Sequence, residues 1–269
     1  MAGALNLQAP QRDAGAELYL DLLKKVLTNV IYEDAPNGRW QGERPYDAGA
    51  RAEGQDWPSA AHTMVGLKRL DHLHRCLDRI RADDVPGDLI ETGVWRGGVC
   101  IFMRAFLKAH RDHDRVVWVA DSFQGIPTTM PESHPADREL ALHEYNDVLA
   151  VPKSTVEDNF RCYGLLDDQV GFLAGWFRDT LPDAPIERLA LLRLDGDLYE
   201  STENTLNHLY DKLSPGGFVI VDDYAIPACR DAVDDFRARH GITEPIEVID
   251  TTGVCWRRVH RRPPIRRKR

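Results

Sequence analysis

The stretch Asp88–Gly98, DLIETGVWRGG, decides the fold. Leu89 and Ile90 are a short apolar run closed by Glu91, Gly93, Gly97 and Gly98 make a turn, and an apolar segment runs from Val99 to Leu107. A buried parallel strand reads as a continuous apolar run. Glycines after it let the backbone turn sharply and approach a ligand closely. A helix opening at Gly97–Gly98 is expected to aim unpaired N–H groups into the same crevice. Strand, tight turn and helix in that order bind carboxylate, hydroxyl or phosphate oxygens.

Outward from this stretch, strands and helices alternate. The patterning predicts strands at 87–93, 115–121, 169–175, 187–195 and 217–222, with helices at 98–110, 153–165, 201–213 and 227–240. Residues 245–250 and 254–259 read as a closing hairpin around Thr251–Gly253. Alternation with short connections implies a parallel, doubly wound sheet covered on both faces, with an antiparallel strand at one side. Upstream, 14–31 and 59–81 carry helical periodicity. Between them, 34–58 is polar, rich in Gly and Pro, and contains Trp40 and Tyr46, the composition of a lid or binding segment. A second long loop, 124–152, is expected to close over a substrate with it. His62, His72 and His74 read as exposed or hydrogen-bonded helix histidines. The domain layout is N-terminal helices and lid over 1–84, a ligand-binding domain over 85–259 and a basic tail over 260–269.

Composition narrows the function. The 269 residues are 43% apolar and 29% charged, ordinary for a globular protein with a real core. A formal net charge of -9 argues against nucleic acid as a partner. The run Arg257–Arg269, RRVHRRPPIRRKR, reads as a solvated end rather than a nucleic-acid or membrane tail. Cys76, Cys100, Cys162, Cys229 and Cys255 are scattered, giving neither zinc spacing nor a disulfide framework. Buried reduced thiols in a cytoplasmic protein are the reading taken. No signal peptide or bilayer-spanning run is visible. The apolar faces of the N-terminal helices suggest a homo-oligomer.

Ligands of open α/β sheets sit beyond the carboxyl ends of the strands. There the chain places Glu91, then Asp121-Ser122, then Gly175-Trp176, then Asp195-Gly196-Asp197, then Asp222-Asp223. Asp121, one βαβ unit after the glycine turn, suits both ribose hydroxyls of an adenosine cofactor. Such an acid serves NAD and S-adenosylmethionine alike. The turn separates them, because G-V-W-R-G-G carries bulky Val94 and Trp95 where a pyrophosphate needs bare backbone. Glu91 would sit badly beside a pyrophosphate but well beside a sulfonium or amino group. Either of D-G-D or D-D-Y alone would read as solvated loop acids. Together on neighbouring strand ends they repel one another and raise their own pKa values. A hard divalent cation, Mg2+, Ca2+ or Mn2+, removes that repulsion.

The residues at this point resemble a known family. AHTM (61–64), IETGVWRGG (90–98), VWVADSFQG (117–125), YGLLDDQV (163–170) and LSPGGF (213–218) are similar to the macrocin-type, Mg2+-dependent sugar O-methyltransferases of actinobacterial antibiotic biosynthesis, as are GWF, DTLP, LDGD and DDY in register. The resemblance spans roughly Leu18 to Arg257. It implies a Rossmann-like class I methyltransferase sheet with an N-terminal helical lid, using S-adenosylmethionine and Mg2+. Carried over by position, Glu91, Thr92, Gly93, Trp95, Asp121 and Ser122 hold the methionine and ribose portions. Thr63 and Met64 flank the cofactor, and Gly175 and Trp176 border adenine. Asp195, Asp222 and Asp223 match the metal ligands, Asp195 matches the general base, and Asp197 is the second candidate for that base. The implied partner is a glycosylated small-molecule natural product. The products are S-adenosylhomocysteine and a methoxy sugar.

Other classes are weighed against this one. A catechol or phenol methyltransferase would share fold and metal. A D-x-D phosphatase would carry its nucleophile after the first strand, whereas D-G-D follows the fourth. A binding protein on a decayed fold is at odds with acids intact at four strand ends.

Overall fold

Strands β1 (Asp88–Thr92), β2 (Val117–Asp121), β3 (Val170–Ala174), β4 (Leu189–Leu194), β5 (Leu213–Val221), β6 (Glu247–Val248) and β7 (Val254–Arg257) form one sheet in the order β3-β2-β1-β4-β5-β7-β6. The computed structural model describes residues 13–259. β1 to β5 pair in parallel. β7 runs antiparallel to β5, and β6 pairs with β7, so the expected hairpin closes one edge.

The helices are α1 (Ala14–Leu27), α2 (Gly38–Gln41), α3 (Ala48–Ala52), α4 (Gly66–Ala82), α5 (Gly98–Ala109), α6 (Pro135–Leu140), α7 (Asn146–Leu149), α8 (Lys153–Cys162), α9 (Phe177–Thr180), α10 (Tyr199–Leu209) and α11 (Pro227–His240). Side chains alternate across the sheet. Leu89, Val117, Leu191 and Ile220 face a core built with α1, α4 and α5. Ile90, Ala120, Leu192 and Val219 face a core built with α10 and α11. The strand order reverses between β1 and β4, which creates the crevice where open sheets bind ligands.

Several boundaries move. α1 ends at Leu27, and Leu18 and Leu22 from its predicted apolar stripe are exposed. α4 begins at Gly66 rather than Ser59, because 59–65 lies irregularly across the start of α5. There Gly98 N–H donates to His62 C=O at 3.0 Å and Gly97 N–H donates to Val94 C=O at 2.7 Å. These two amides are therefore not aimed free into the crevice as the glycine turn suggested. Cys162 is exposed, although the other four thiols are buried. The basic run begins inside the fold: Arg257 belongs to β7, and buried Arg258 donates to Tyr210 C=O at 2.6 Å and Leu213 C=O at 2.5 Å. The tail 260–269 lies outside the described residues.

The polar segment 34–58 is tied down by one arginine. Arg51, 1% exposed, donates to both oxygens of Asp56, to Asp34 Oδ1 at 2.7 Å and to the carbonyls of Thr28 and Asp34. Removing one member of a buried ion pair strands the others' charge. Arg51→Met should therefore cost about 3–5 kcal/mol in urea denaturation and open 34–58 to protease. Burial raises the Asp34 pKa, but the Ala60 amide, Arg51 and Asn29 outweigh it and hold the carboxyl at about 2. The folded value lies below the ordinary carboxylate range, so this contribution is complete above about pH 4. It should fade as pH falls towards 2, seen as a pH-dependent unfolding midpoint whose slope flattens in Asp34→Asn.

Candidate active site

A cavity of about 960 Å³ opens at the carboxyl ends of β1, β2, β4 and β5. That volume is at the upper end of ligand sites and can hold a cofactor together with a second molecule. Thr63, Met64, Glu91, Gly93, Trp95, Asp121, Ser122, Trp176, Asp195, Asp197, Asp222 and Asp223 all line it. Two of the expected residues do not. Thr92 points to the opposite face of the sheet, where its hydroxyl donates to Arg193 C=O at 3.3 Å and meets Thr205. The reason is the two-residue period: if Glu91 faces the cavity, its neighbour cannot. Gly175 is absent from the wall; its N–H donates to Asp121 C=O at 2.9 Å and shapes the turn that presents Trp176.

At the switch point the backbone of β1 and the end of β4 touch. Gly93 has φ +90°, and a Cβ there would lie 1.7 Å from the Asp195 carbonyl oxygen. Asp121 braces the turn by accepting from Val94 N–H at 2.8 Å and Phe123 N–H at 2.7 Å. The Ser122 hydroxyl also reaches its Oδ1, at 3.5 Å. Burial nonetheless raises the Asp121 pKa, with these amides opposing.

The acid cluster is built around arginines. Arg193 is opposite Glu91 in the β1–β4 register, and Asp195 follows two residues later on the same face. Arg193 is 2% exposed and bonds Glu91, Asp222 and, at 2.7 Å, Asp195. Arg69 of α4 takes the other oxygen of Asp222 and also Asp250, the latter at 2.7 Å. Glu91 also accepts from the Cys100 thiol at 2.9 Å. Glu91 thus belongs to the protein's own ion pairs while still lining the cavity. Burial pushes it up to about 7 against the pull of Arg193.

Asp195, Asp222 and Asp223 bring one oxygen each to within 4.8 Å of one another. Asp223 also accepts from Asp197 N–H at 3.1 Å. The pKa values of Asp195, Asp197 and Asp223 are all raised, by burial first and then by their neighbours' negative charge. Two guanidinium groups, Arg69 and Arg193, stand against five carboxylates here, Glu91, Asp195, Asp197, Asp222 and Asp223. An all-oxygen donor set of this span, with negative charge to spare, fits a hard divalent cation.

Two loops wall the rest of the cavity. Asp137 of α6, 1% exposed, accepts from Tyr199 N–H at 2.6 Å and Glu200 N–H at 3.1 Å, the first amides of α10. A carboxylate at a helix N-terminus meets both the orphan donors and the positive end of the dipole. Across the mouth, Trp40 stacks on Trp57 at 4.9 Å and Tyr145 meets both edge-on. Arg39 pairs with Asp147 at 2.9 Å. The segment 34–58 and the loop 124–152 are thus clipped together. None of the three histidines lines the cavity: His62, ahead of α4, has Nδ1 2.8 Å from the Tyr163 hydroxyl, His72 Nε2 lies 3.3 Å from Cys255 Sγ, and buried His74 packs on Phe102 and Phe106.

Comparison with known proteins agrees with this geometry. A match to the family described as Macrocin-O-methyltransferase (TylF) covers residues 16–258. The chain belongs to that family. It is 64% identical over 241 residues, 90% of this chain and 92% of the relative, to an 8-demethyl-8-(2,3-dimethoxy-alpha-L-rhamnosyl)-tetracenomycin-C 4'-O-methyltransferase of Streptomyces olivaceus. It is 56% identical to the mycinamicin III 3''-O-methyltransferase of Micromonospora griseorubida, over 91% of this chain and 97% of the relative. The solved structure of the O-methyltransferase NovP superposes with a TM-score of 0.88 at 54% identity, over 91% of this chain and 100% of that one. This macrocin-type chain is an O-methyltransferase on the class I S-adenosylmethionine fold.

Arg51, Arg69, Arg193 and Asp137 escaped the sequence reading. Arg193 alone left a trace there, as the one charge inside the strand LALLRL, two residues before Asp195. In this macrocin-type site, Gly93→Ala should lose about 3 kcal/mol or more of stability. It should also lose binding of S-adenosylhomocysteine in calorimetry, because the β1 turn and β4 end must separate.

Proposed function

We propose that this enzyme is an S-adenosylmethionine- and Mg2+-dependent methyltransferase of a sugar hydroxyl on a glycosylated natural product. The observation that carries it is the convergence of Asp195, Asp222 and Asp223 in the same cavity as Gly93, Asp121 and Trp176. Family membership, and the glycosylated antibiotics in the names of the relatives, support the substrate class.

The cofactor's chemistry is an activated methyl on a sulfonium. The cation's is to lower the pKa of a coordinated oxygen, as it does for water. The chain's residues do the rest. Gly93 and Asp121 let the cofactor approach the β1 turn closely, and Met64 and Trp176 flank it. Asp222 and Asp223 with Asp195 supply the oxygens for the cation. Asp195, 26% exposed towards the cavity, accepts the proton of the sugar hydroxyl, and Asp197 stands beside it as the second candidate. Arg193 keeps Asp195 oriented. The two loops exclude water and hold acceptor oxygen and methyl in line, which supplies much of the rate. Transfer gives a methoxy sugar and S-adenosylhomocysteine. A sugar hydroxyl holds its proton far more tightly than a phenol, with a pKa near 10. A catechol enzyme would share the fold and metal site, and it is the glycosides in the relatives' names that favour the sugar. No described helix is long and apolar enough to cross a membrane.

Mass spectrometry of a glycoside library incubated with enzyme and cofactor should show a gain of one methylene that disappears with chelator and returns with Mg2+. Asp195→Asn should lower kcat by about a hundredfold or more while S-adenosylhomocysteine still binds. Turnover indifferent to chelator, or full activity in Asp195→Asn, would overturn the reading.

A further inference from the structure

The two ends of the cavity differ in chemistry. The inner end is carboxylate, contributed by the sheet. The outer end comes from the two loops and is aromatic and aliphatic through Trp40, Trp57, Ile126, Met130, Leu142 and Leu149, with polar groups such as Gln41, Arg44 and Thr128 among them. Trp40 is 46% exposed and Met130 52%, large apolar side chains left open within a cleft. Contiguous open apolar surface of this kind marks where a ligand is buried. The adenosine cradle already has an aromatic wall, Trp176, next to Asp121. Trp40 and Trp57 come from a different segment and are clipped to the loop after β2.

We propose that the apolar end takes a flat aromatic aglycone, and that Trp40 and Trp57 determine this specificity. The inference rests on the reading of the site as a glycoside methyltransferase. A sugar reaching the carboxylates places whatever it is attached to under the two indoles. An aliphatic ring gains burial there, whereas a planar aromatic system gains offset stacking as well.

The test is calorimetry of the full chain loaded with S-adenosylhomocysteine, with the planar glycoside 8-demethyl-8-(2,3-dimethoxy-alpha-L-rhamnosyl)-tetracenomycin C and the macrolide glycoside mycinamicin III as probes. The tetracenomycin glycoside should bind at least about tenfold more tightly, and Trp40→Ala should weaken it by about tenfold, the scale of one well-placed aromatic contact. The affinity for S-adenosylhomocysteine should stay within about twofold, a readout that also reports whether the variant is folded. Trp57→Phe, which keeps a flat ring, should lose less than Trp57→Ala. Equal or tighter binding of mycinamicin III would overturn the aromatic specificity while leaving the methyltransferase reading intact. Loss of S-adenosylhomocysteine binding in folded Trp40→Ala would assign the indole to the cofactor and overturn it too. Failure of the wild-type chain to bind S-adenosylhomocysteine at all would sink both.

Discussion

A guanidinium sits inside the central parallel sheet, and the active site depends on it. Arg193 on β4 is held by Glu91 on β1, by Asp195 at the end of its own strand and by Asp222 at the end of β5. Three strands thus meet through one side chain at the point where the strand order reverses. Burying a charge is costly, and removing one partner from such a group costs about 3–5 kcal/mol. The arrangement survives because every charged member has a counter-charge within bonding distance. Without Arg193, Glu91, Asp195 and Asp222 would repel across a low-dielectric interior and the strand ends would splay.

The N-terminal segment enters the same network. Arg69 on α4 completes the bonding of Asp222 and carries it on to Asp250. A few residues earlier His62 takes the first amide of α5, and Thr63 and Met64 form part of the cavity wall. Arg51 then fixes 34–58 over the mouth. One continuous path of charge-assisted bonds and close backbone contacts runs from the reacting end of the cavity to its lid, so the lid is a folded part of the site. The polar composition of 34–58 concealed this, because a single buried arginine with two aspartates has no periodicity.

The sheet was legible because buried parallel strands are nearly continuous apolar runs and the turns after them carry glycine and aspartate. Helix α11 falls where its pattern put it, from Pro227 to His240. The start of α4 was not, since 59–65 has helical spacing but gives its His62 carbonyl to the first amide of α5 and its Ala61 carbonyl to Arg96. In the site, residue types at strand ends told which acids share a crevice. They did not tell which are already bonded. The Glu91–Arg193 pairing needs the β1–β4 register, and register between distant strands is set by tertiary packing. Thr92 shows the same limit from the other side: it is adjacent to Glu91 in sequence and a sheet's thickness away in space.

The cavity separates chemistry from recognition along the same boundary that separates sheet from loops. The sheet contributes Asp195, Asp222 and Asp223, whose positions are fixed by register and by Arg193, so small shifts there are resisted by the whole core. The loops contribute the apolar surface, and they are held by local devices: Asp137 on the first amides of α10, Arg39 on Asp147, the Trp40–Trp57–Tyr145 cluster. The loop aromatics and the ion-pair network draw on different residues, so the two ends of the cavity can change separately. Relatives whose names carry a tetracenomycin and a mycinamicin share more than half of this sequence, and a division of this kind lets one reaction serve both. At the fixed end, Arg69 and Arg193 stand against the five carboxylates Glu91, Asp195, Asp197, Asp222 and Asp223. The mouth, where the acceptor's bulk must differ from one enzyme to another, is left to residues that the core does not need.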